Sequence, residues 1–457
     1  MAREIPAALL SSLQSIKGFE EKSFVETHAA GQQPVSIRIN HFKFNIQHLS
    51  FHHEEKVLWS SHGYYLKERP SFTLDPLFHA GTYYVQEASS MFLEQAIRQS
   101  CDLNIPLRVL DLCAAPGGKS TLIQSLISKE SLLVSNEIIK NRATILAENM
   151  SKWGGANVIV TNNEPAHFKR LPAFFDLIVI DAPCSGSGLF RKDPEAINEW
   201  SLQNVQLCSE RQEKILSEVM DCLKPGGVLV YSTCSFSKAE NEDILDWISD
   251  EFSMITLPLT VQEEWGIVTT VSDKHKNTGY RFYPDRVKGE GFFLAVFKKE
   301  GVLQYSRAPK AKNKLTLLNK EELQIVEPYL KDPAQYVFTK WKAEILALPA
   351  TIVEEFLLLQ SVLYLKKAGV KIGELIRNIL VPQHEWAVSG IATDLLPSVE
   401  LDLPTALQYL RKKDIEIISD VRGWAMVTYN NIPLGLVKIL AGRSNNYYPK
   451  EWRILNM

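Results

Sequence analysis

Cysteine is scarce in this 457-residue chain: six in all, with no CxxC pair and no Cys/His cluster at ligand spacing. A disulfide framework and a structural zinc site are not expected, and reduced thiols fit a cytoplasmic protein. Long apolar runs are missing too, since none approaches the ~18 residues needed to cross a bilayer. The start, Met1-Ala-Arg-Glu-Ile-Pro6, lacks the charged and then apolar stretches of a signal peptide. The expectation is a soluble, monomeric protein with neither membrane nor metal partner. Two ligand fingerprints are also absent. Without GxGxxG, or GxxxxGK followed by Ser or Thr, NAD and nucleoside triphosphates are poor candidates.

Neither sign of charge dominates. The net charge of −3 argues against a globally basic nucleic-acid binder. The distribution is uneven, however. Residues 301–457 hold 20 of the 50 basic and 16 of the 53 acidic side chains (+4), which leaves residues 1–300 at −7. That asymmetry directs an anionic partner toward the C-terminal part. With 45% hydrophobic and 23% charged residues, the composition is that of a globular protein. The length asks for two to four domains.

The first 85 residues mix short helical and strand-like runs with many aromatics, and Ser36-Ile-Arg-Ile-Asn40 alternates like a half-buried strand. Ser89 or Ser90 is a plausible cap for the helix that follows. Over residues 86–300, strand-like runs (Arg108–Asp111, Leu132–Ser135, Val158–Val160, Leu177–Ile180, Val228–Tyr231) alternate with helical ones such as Asn141–Trp153 and Ser209–Cys222. That pattern predicts an α/β domain with a doubly wound, mostly parallel sheet. Leu223-Lys-Pro-Gly-Gly227 reads as a helix stop, and Phe292–Phe297 as a last strand. Residues 301–316, with Arg307, Lys310, Lys312 and Lys314, read as a basic linker. Residues 317–381 read as a helical subdomain, with helices over Glu321–Leu330 and Glu354–Ala368. Residues 382–457 shift to short strands and Gly/Pro turns, a small β-rich module.

The reactive residues sit at strand ends. Cys184, in Asp181-Ala-Pro-Cys-Ser-Gly186, follows one apolar run, and Cys234, in Ser232-Thr-Cys-Ser235, follows another. In a parallel sheet the carboxyl ends of the strands open into the ligand crevice, so both thiols face one reaction space. A third strand runs into Cys113-Ala114-Ala115-Pro116-Gly117-Gly118-Lys119, a loop of small residues that allows close approach of a cofactor at a helix N-terminus. Glu137 follows the next strand, where ribose hydroxyls are usually held.

Such a set suits methylation of a pyrimidine carbon. Carbon 5 of cytosine is a poor nucleophile until a thiolate adds to carbon 6, after which a sulfonium cofactor can alkylate it. A carboxyl group at the N3/amino edge assists, and a second thiol suits release of the adduct.

These motifs, in this order and spacing, resemble the RNA cytosine-5 methyltransferases of the Nop/Sun family. The resemblance covers residues 1–300. The tail from Gly435 through Asn446-Tyr447-Tyr448-Pro449 is similar to the bacterial branch that modifies 16S ribosomal RNA and carries a PUA-like RNA-binding module. The resemblance implies a Rossmann-like methyltransferase domain with an RNA-binding N-terminal region. It assigns the attacking thiol to Cys234 and product release to Cys184, and places Lys119 and Asp181 near the cytosine. It assigns residues 113–119, Glu137 and Asp181 to S-adenosylmethionine, with Asn163 or Glu164 as a further contact after the Val158–Val160 strand. The substrate implied is 16S RNA, naked or in 30S particles. The rivals are the same chemistry on transfer RNA or another ribosomal site, and a non-catalytic ribosome-assembly binder. Arg281-Phe-Tyr-Pro-Asp285 departs from the family pattern, which often has His after the Pro. The C-terminal part is expected to select substrate and take no part in the chemistry.

Overall fold

A computed structural model describes residues 4–49, 51–301, 314–417 and 420–455. Most of the expected basic linker, including Arg307, Lys310 and Lys312, lies outside the described residues.

One ten-stranded sheet organises the molecule. Its strands are β1 (Arg108–Asp111), β2 (Leu132–Asn136), β3 (Val158–Thr161), β4 (Phe175–Asp181), β5 (Leu223–Thr233), β6 (Met254–Thr256), β7 (Val268–Val271), β8 (Thr278–Phe282), β9 (Phe292–Lys299) and β10 (Leu365–Ala368). The spatial order is β7-β8-β9-β5-β4-β1-β2-β3-β10, with β6 added beside β9. Strands β1 to β5 are parallel. Runs such as Leu177-Ile-Val-Ile180 are buried throughout, as helices on both faces of a parallel sheet require. The strand order reverses between β1 and β4, where a crevice opens at the carboxyl ends. The expected doubly wound fold is present, with antiparallel strands extending both edges.

Three helices matter for the site: α1 (Gly118–Leu126), α2 (Lys140–Trp153) and α3 (Leu202–Val219). Helix α3 starts earlier than the sequence suggests because the Ser201 hydroxyl accepts from Asn204 N–H and caps it. It ends in a 3-10 turn, Met220–Cys222. The Leu223–Gly227 stretch, read as a helix stop, opens β5. Neither Ser89 nor Ser90 caps a helix through its side chain. Instead, the Glu87 carboxylate accepts both of their backbone N–H groups, at 2.8 and 2.9 Å.

The largest departure lies past residue 316. The stretch 354–368 is not one helix. It is a helix over Val353–Val362 followed by β10, which pairs antiparallel with β3. The open edge of β3 offers unpaired backbone groups, and pairing with them overrides local helical preference. The expected Glu321–Leu330 helix is present as Lys320–Val326 and a 3-10 turn, but the segment read as helical also holds strands: Tyr336–Trp341, Glu344–Pro349, Val370–Ile376 and Ile379–Pro382 form a four-stranded sheet. A second four-stranded sheet closes the chain, and a third, built on Val35–Ile39, precedes the central domain.

The N-terminal sheet is fastened to α1 and α2 by Arg38, which is buried. Its guanidinium donates to Gln86 Oε1 at 2.8 Å and to Thr121 Oγ1 at 2.6 Å on α1, and lies 4.6 Å from the Trp153 ring centre.

Candidate active site

Strand β4 ends at Asp181 and β5 at Thr233. Adjacent parallel strands of matched register deliver the loops beyond them to the same place. Cys184 Sγ lies 2.9 Å from Cys234 Sγ, and both cysteines are free thiols. The loops close this tightly because Gly188 has no side chain. A Cβ there would sit 2.8 Å from the Cys234 carbonyl and 2.5 Å from that of Gly291. The Cys184 thiol is pushed well up by its hydrogen bond with Cys234 and by burial, so it keeps its proton.

A buried carboxylate ties the two loops together. Glu240 accepts from Ser185 N–H at 2.7 Å, Ser185 Oγ at 2.6 Å and Ser235 Oγ at 2.6 Å. Ser185 follows Cys184 and Ser235 follows Cys234, so one side chain sets the position of both thiols. Tyr231 OH donates to the Glu240 carbonyl at 2.7 Å. Behind this, Arg281 pairs with buried Glu242 and donates to the Phe236 carbonyl at 2.8 Å. Asp285 accepts from Ser23 Oγ at 2.6 Å, linking its loop to the N-terminal region.

Lys119, on the first turn of α1, reaches the thiol crevice. Its Nζ lies 2.7 Å from Asp181 Oδ2, and Asp181 Oδ1 accepts from Ser232 Oγ at 2.9 Å. Burial opposes the Lys119 charge, yet Asp181 foremost, then Asp111 and Cys234, raise its pKa above the ordinary value. A fixed ammonium thus stands within electrostatic reach of Cys234. Asp181 remains partly exposed, its side chain 35% accessible.

The small-residue loop lies beside this cluster. Gly117 takes φ 117°, left-handed backbone that favours glycine. From outside, Arg142 Nη2 donates to the Ala115 carbonyl at 2.8 Å and Asn149 Nδ2 to that of Pro116 at 2.8 Å. Cys113 turns inward against the core, and burial pushes its thiol up. Beneath the loop, Asp111 Oδ2 accepts from Ser120 Oγ at 2.6 Å, while buried Oδ1 has no partner. Burial raises the Asp111 carboxyl to about 7. An unpartnered carboxylate oxygen under a glycine loop fits a cofactor that brings a donor or a cation.

Glu137 lies at the end of β2, its carboxylate accepting from Ile139 N–H at 2.9 Å and 3.3 Å from Arg142. The Asn163 amide is engaged elsewhere: it donates to the Tyr364 carbonyl and accepts from Tyr364 N–H, each at 3.0 Å. Glu164 is exposed. The site therefore gathers Cys184, Cys234, Asp181 and Lys119, and uses Asn163 to seat the chain before β10. Sequence reasoning missed Glu240, Arg142 and Arg38. The only signal for Glu240 is an acid six residues after a reactive cysteine.

Residues 104–298 match the family described as 16S rRNA methyltransferase RsmB/F. Residues 5–88 match the N-terminal domain of 16S rRNA methyltransferase RsmF, and residues 396–454 its PUA domain. A protein named ribosomal RNA small subunit methyltransferase F, from Enterobacter sp. (strain 638), is 31% identical over 94% of this chain and 92% of its own. The chain belongs to the ribosomal RNA small subunit methyltransferase F family. Another member, from Aliivibrio salmonicida, is 30% identical over 98% of this chain and 97% of its own. Among solved structures, a methyltransferase homolog from Pyrococcus horikoshii is 30% identical with a TM-score of 0.52, covering 65% of this chain and all of that one. NSun6 from the same organism, solved with SFG, shares the fold at 19% identity and a TM-score of 0.54, over 66% and 100% of the two chains. As a methyltransferase F family member the chain is an RNA methyltransferase with a Rossmann-like catalytic domain, a family N-terminal domain and a PUA domain. Among the described residues no helix is long and apolar enough to cross a membrane, and no cluster of three metal-ligating side chains occurs.

Proposed function

We propose that this enzyme transfers a methyl group from S-adenosylmethionine to carbon 5 of a cytosine in 16S ribosomal RNA, as a monomer in the cytoplasm. The observation that carries the reading is the 2.9 Å approach of Cys184 and Cys234 beside the Lys119–Asp181 pair. Amino-group methylation needs no pair of thiols. Activation of a pyrimidine carbon uses both.

The cofactor would be held by the backbone of residues 113–118, by Asp111 and by Glu137. When bound, it supplies an electrophilic methyl group. Cys234, as thiolate beside the Lys119 ammonium, adds to carbon 6 of the cytosine, and the displaced electron pair makes carbon 5 nucleophilic. Asp181 accepts from the cytosine amino edge, while Lys119 balances its charge. After methyl transfer, carbon 5 still carries its proton. Cys184, its own proton first lost to solvent, removes it as thiolate, the C–H electrons re-form the double bond, and the Cys234–C6 bond breaks with Cys234 leaving as thiolate. Once Cys234 is carbon-bound, the interaction that most strongly holds the Cys184 proton is gone. Cys184 therefore gives up its own proton more readily, and its thiolate is available at the step that needs a base.

A labelled-methyl assay on naked 16S RNA, 30S particles and transfer RNA tests this reading. Incorporation at carbon 5 of cytosine in 16S RNA is expected in one of the first two. Incorporation only into transfer RNA would move the substrate, and none anywhere would favour an assembly-binding role.

A further inference from the structure

A cavity of about 640 Å³ opens where the N-terminal sheet meets the C-terminal module, and no residue of the cysteine or cofactor loops lines it. One wall is made of rings. His41 and His62 stack with centroids 4.2 Å apart and planes 9° from parallel. Phe42 leans on His41 at 4.0 Å and is 65% exposed. Tyr64 continues this wall. The other wall is Asn430-Asn431, the turn between strands Gly423–Tyr429 and Ile432–Leu440. Neither asparagine side chain hydrogen-bonds another described residue. Tyr429 and Ile432, flanking the turn, pack into the N-terminal apolar cluster, so the two walls are held at a fixed spacing.

The size falls within the roughly 300–1,000 Å³ of pockets for small organic groups. Flat rings stack on nucleobases whatever their sequence, and free amides pair with base edges. Burial lowers the pKa of both imidazoles, so the rings are presented neutral. Lys43, a cation among the lining residues, is spent on the carbonyls of Ala80, Lys152 and Val388. The chemistry suits a base rather than a phosphate.

We propose that this cavity holds an unpaired base of the RNA substrate, distinct from the cytosine that reacts. The proposal rests on reading the chain as an RNA methyltransferase and gives that substrate a second point of attachment. A base held here fixes the register of the strand while the target is unstacked at the thiols, which costs a few kcal/mol.

The test uses full-length protein with His41→Ala, Phe42→Ala and, on the opposite wall, Asn431→Ala. The probe is a fluorescent single-stranded fragment of 16S RNA and the same strand with bases removed one position at a time. Loss of stacking should weaken binding roughly 5- to 150-fold, with S-adenosylmethionine affinity unchanged. At one position, removing the base should weaken the wild type equally and leave the variants unaffected. Equal affinity of wild type and variants, or variant losses that persist on every abasic strand, would overturn the proposal. Cys234→Ala separates this from the catalytic reading: it should bind RNA normally and still respond to Phe42→Ala, whether or not it transfers methyl groups.

Discussion

Cys184 Sγ and Cys234 Sγ stand 2.9 Å apart, and that contact, together with burial, raises the Cys184 thiol well above its ordinary value. Cys234→Ala should therefore abolish methyl transfer and form no adduct. Cys184→Ala should accumulate covalently bound RNA, because the adduct forms but loses its carbon 5 proton slowly. A denaturing gel reads both, and an adduct in Cys234→Ala with none in Cys184→Ala would exchange the two roles.

Glu240 touches neither reactant but fixes both cysteine loops. Displacement of reacting groups by about 1 Å costs on the order of 100-fold in rate. Glu240→Ala should lower kcat by that order while leaving S-adenosylmethionine affinity near wild type. Glu240→Gln, still able to accept hydrogen bonds, should recover part of the loss. A changed KM with intact kcat would show that the network serves RNA binding instead.

Asp111 gives cofactor binding a pH dependence. Its carboxyl is raised to about 7 by burial, so below that pH the group is mostly protonated. A cationic ligand favours the ionised form and must displace the proton. S-adenosylmethionine affinity should rise with pH up to about 7 and then level off, by at most tenfold per pH unit. Calorimetry on Asp111→Asn should show a flat profile over the same range.

Glu137→Ala should weaken S-adenosylmethionine binding roughly 5- to 150-fold, as loss of hydrogen bonds worth about 1–3 kcal/mol requires. Unchanged calorimetric affinity would remove Glu137 from the site and leave it as the partner of Arg142.

Truncation tests the C-terminal part differently from what the sequence implies. Leu346, Leu348, Phe356 and Leu359 belong to the same apolar core as β4 and β5. Deleting residues 301–457 should lower the thermal midpoint and expose apolar surface. Retained wild-type stability in that truncation would show that the catalytic domain stands alone.

That Cys184 and Cys234 would meet was readable in the sequence, because each sits in a run of small residues just past a strand. Glu240 was not, because Ser237-Lys-Ala-Glu240 is a polar stretch whose burial is decided by the loops packed over it. Asn163 or Glu164 was expected to contact the cofactor from its place after β3. The Asn163 side chain is bonded to Tyr364, 201 residues away, which nothing near it in sequence announces. The strand β10 was hidden for a related reason. Leu363-Tyr-Leu-Lys-Lys-Ala368 continues a helical run without a stop signal, and only the free edge of β3 turns it into a strand.

That last pairing has a consequence for how the protein is made. Strand β3 ends at Thr161, and its neighbour β10 begins at Leu365. About 200 residues separate them, so at roughly 5–20 residues per second the edge of β3 stands open for some 10–40 s of synthesis. A nascent chain stalled anywhere in that interval carries an unsatisfied strand edge, the feature through which sheets join one another. The emerging protein carries that open edge from before Cys184 and Cys234 are made until the segment that seals the sheet arrives.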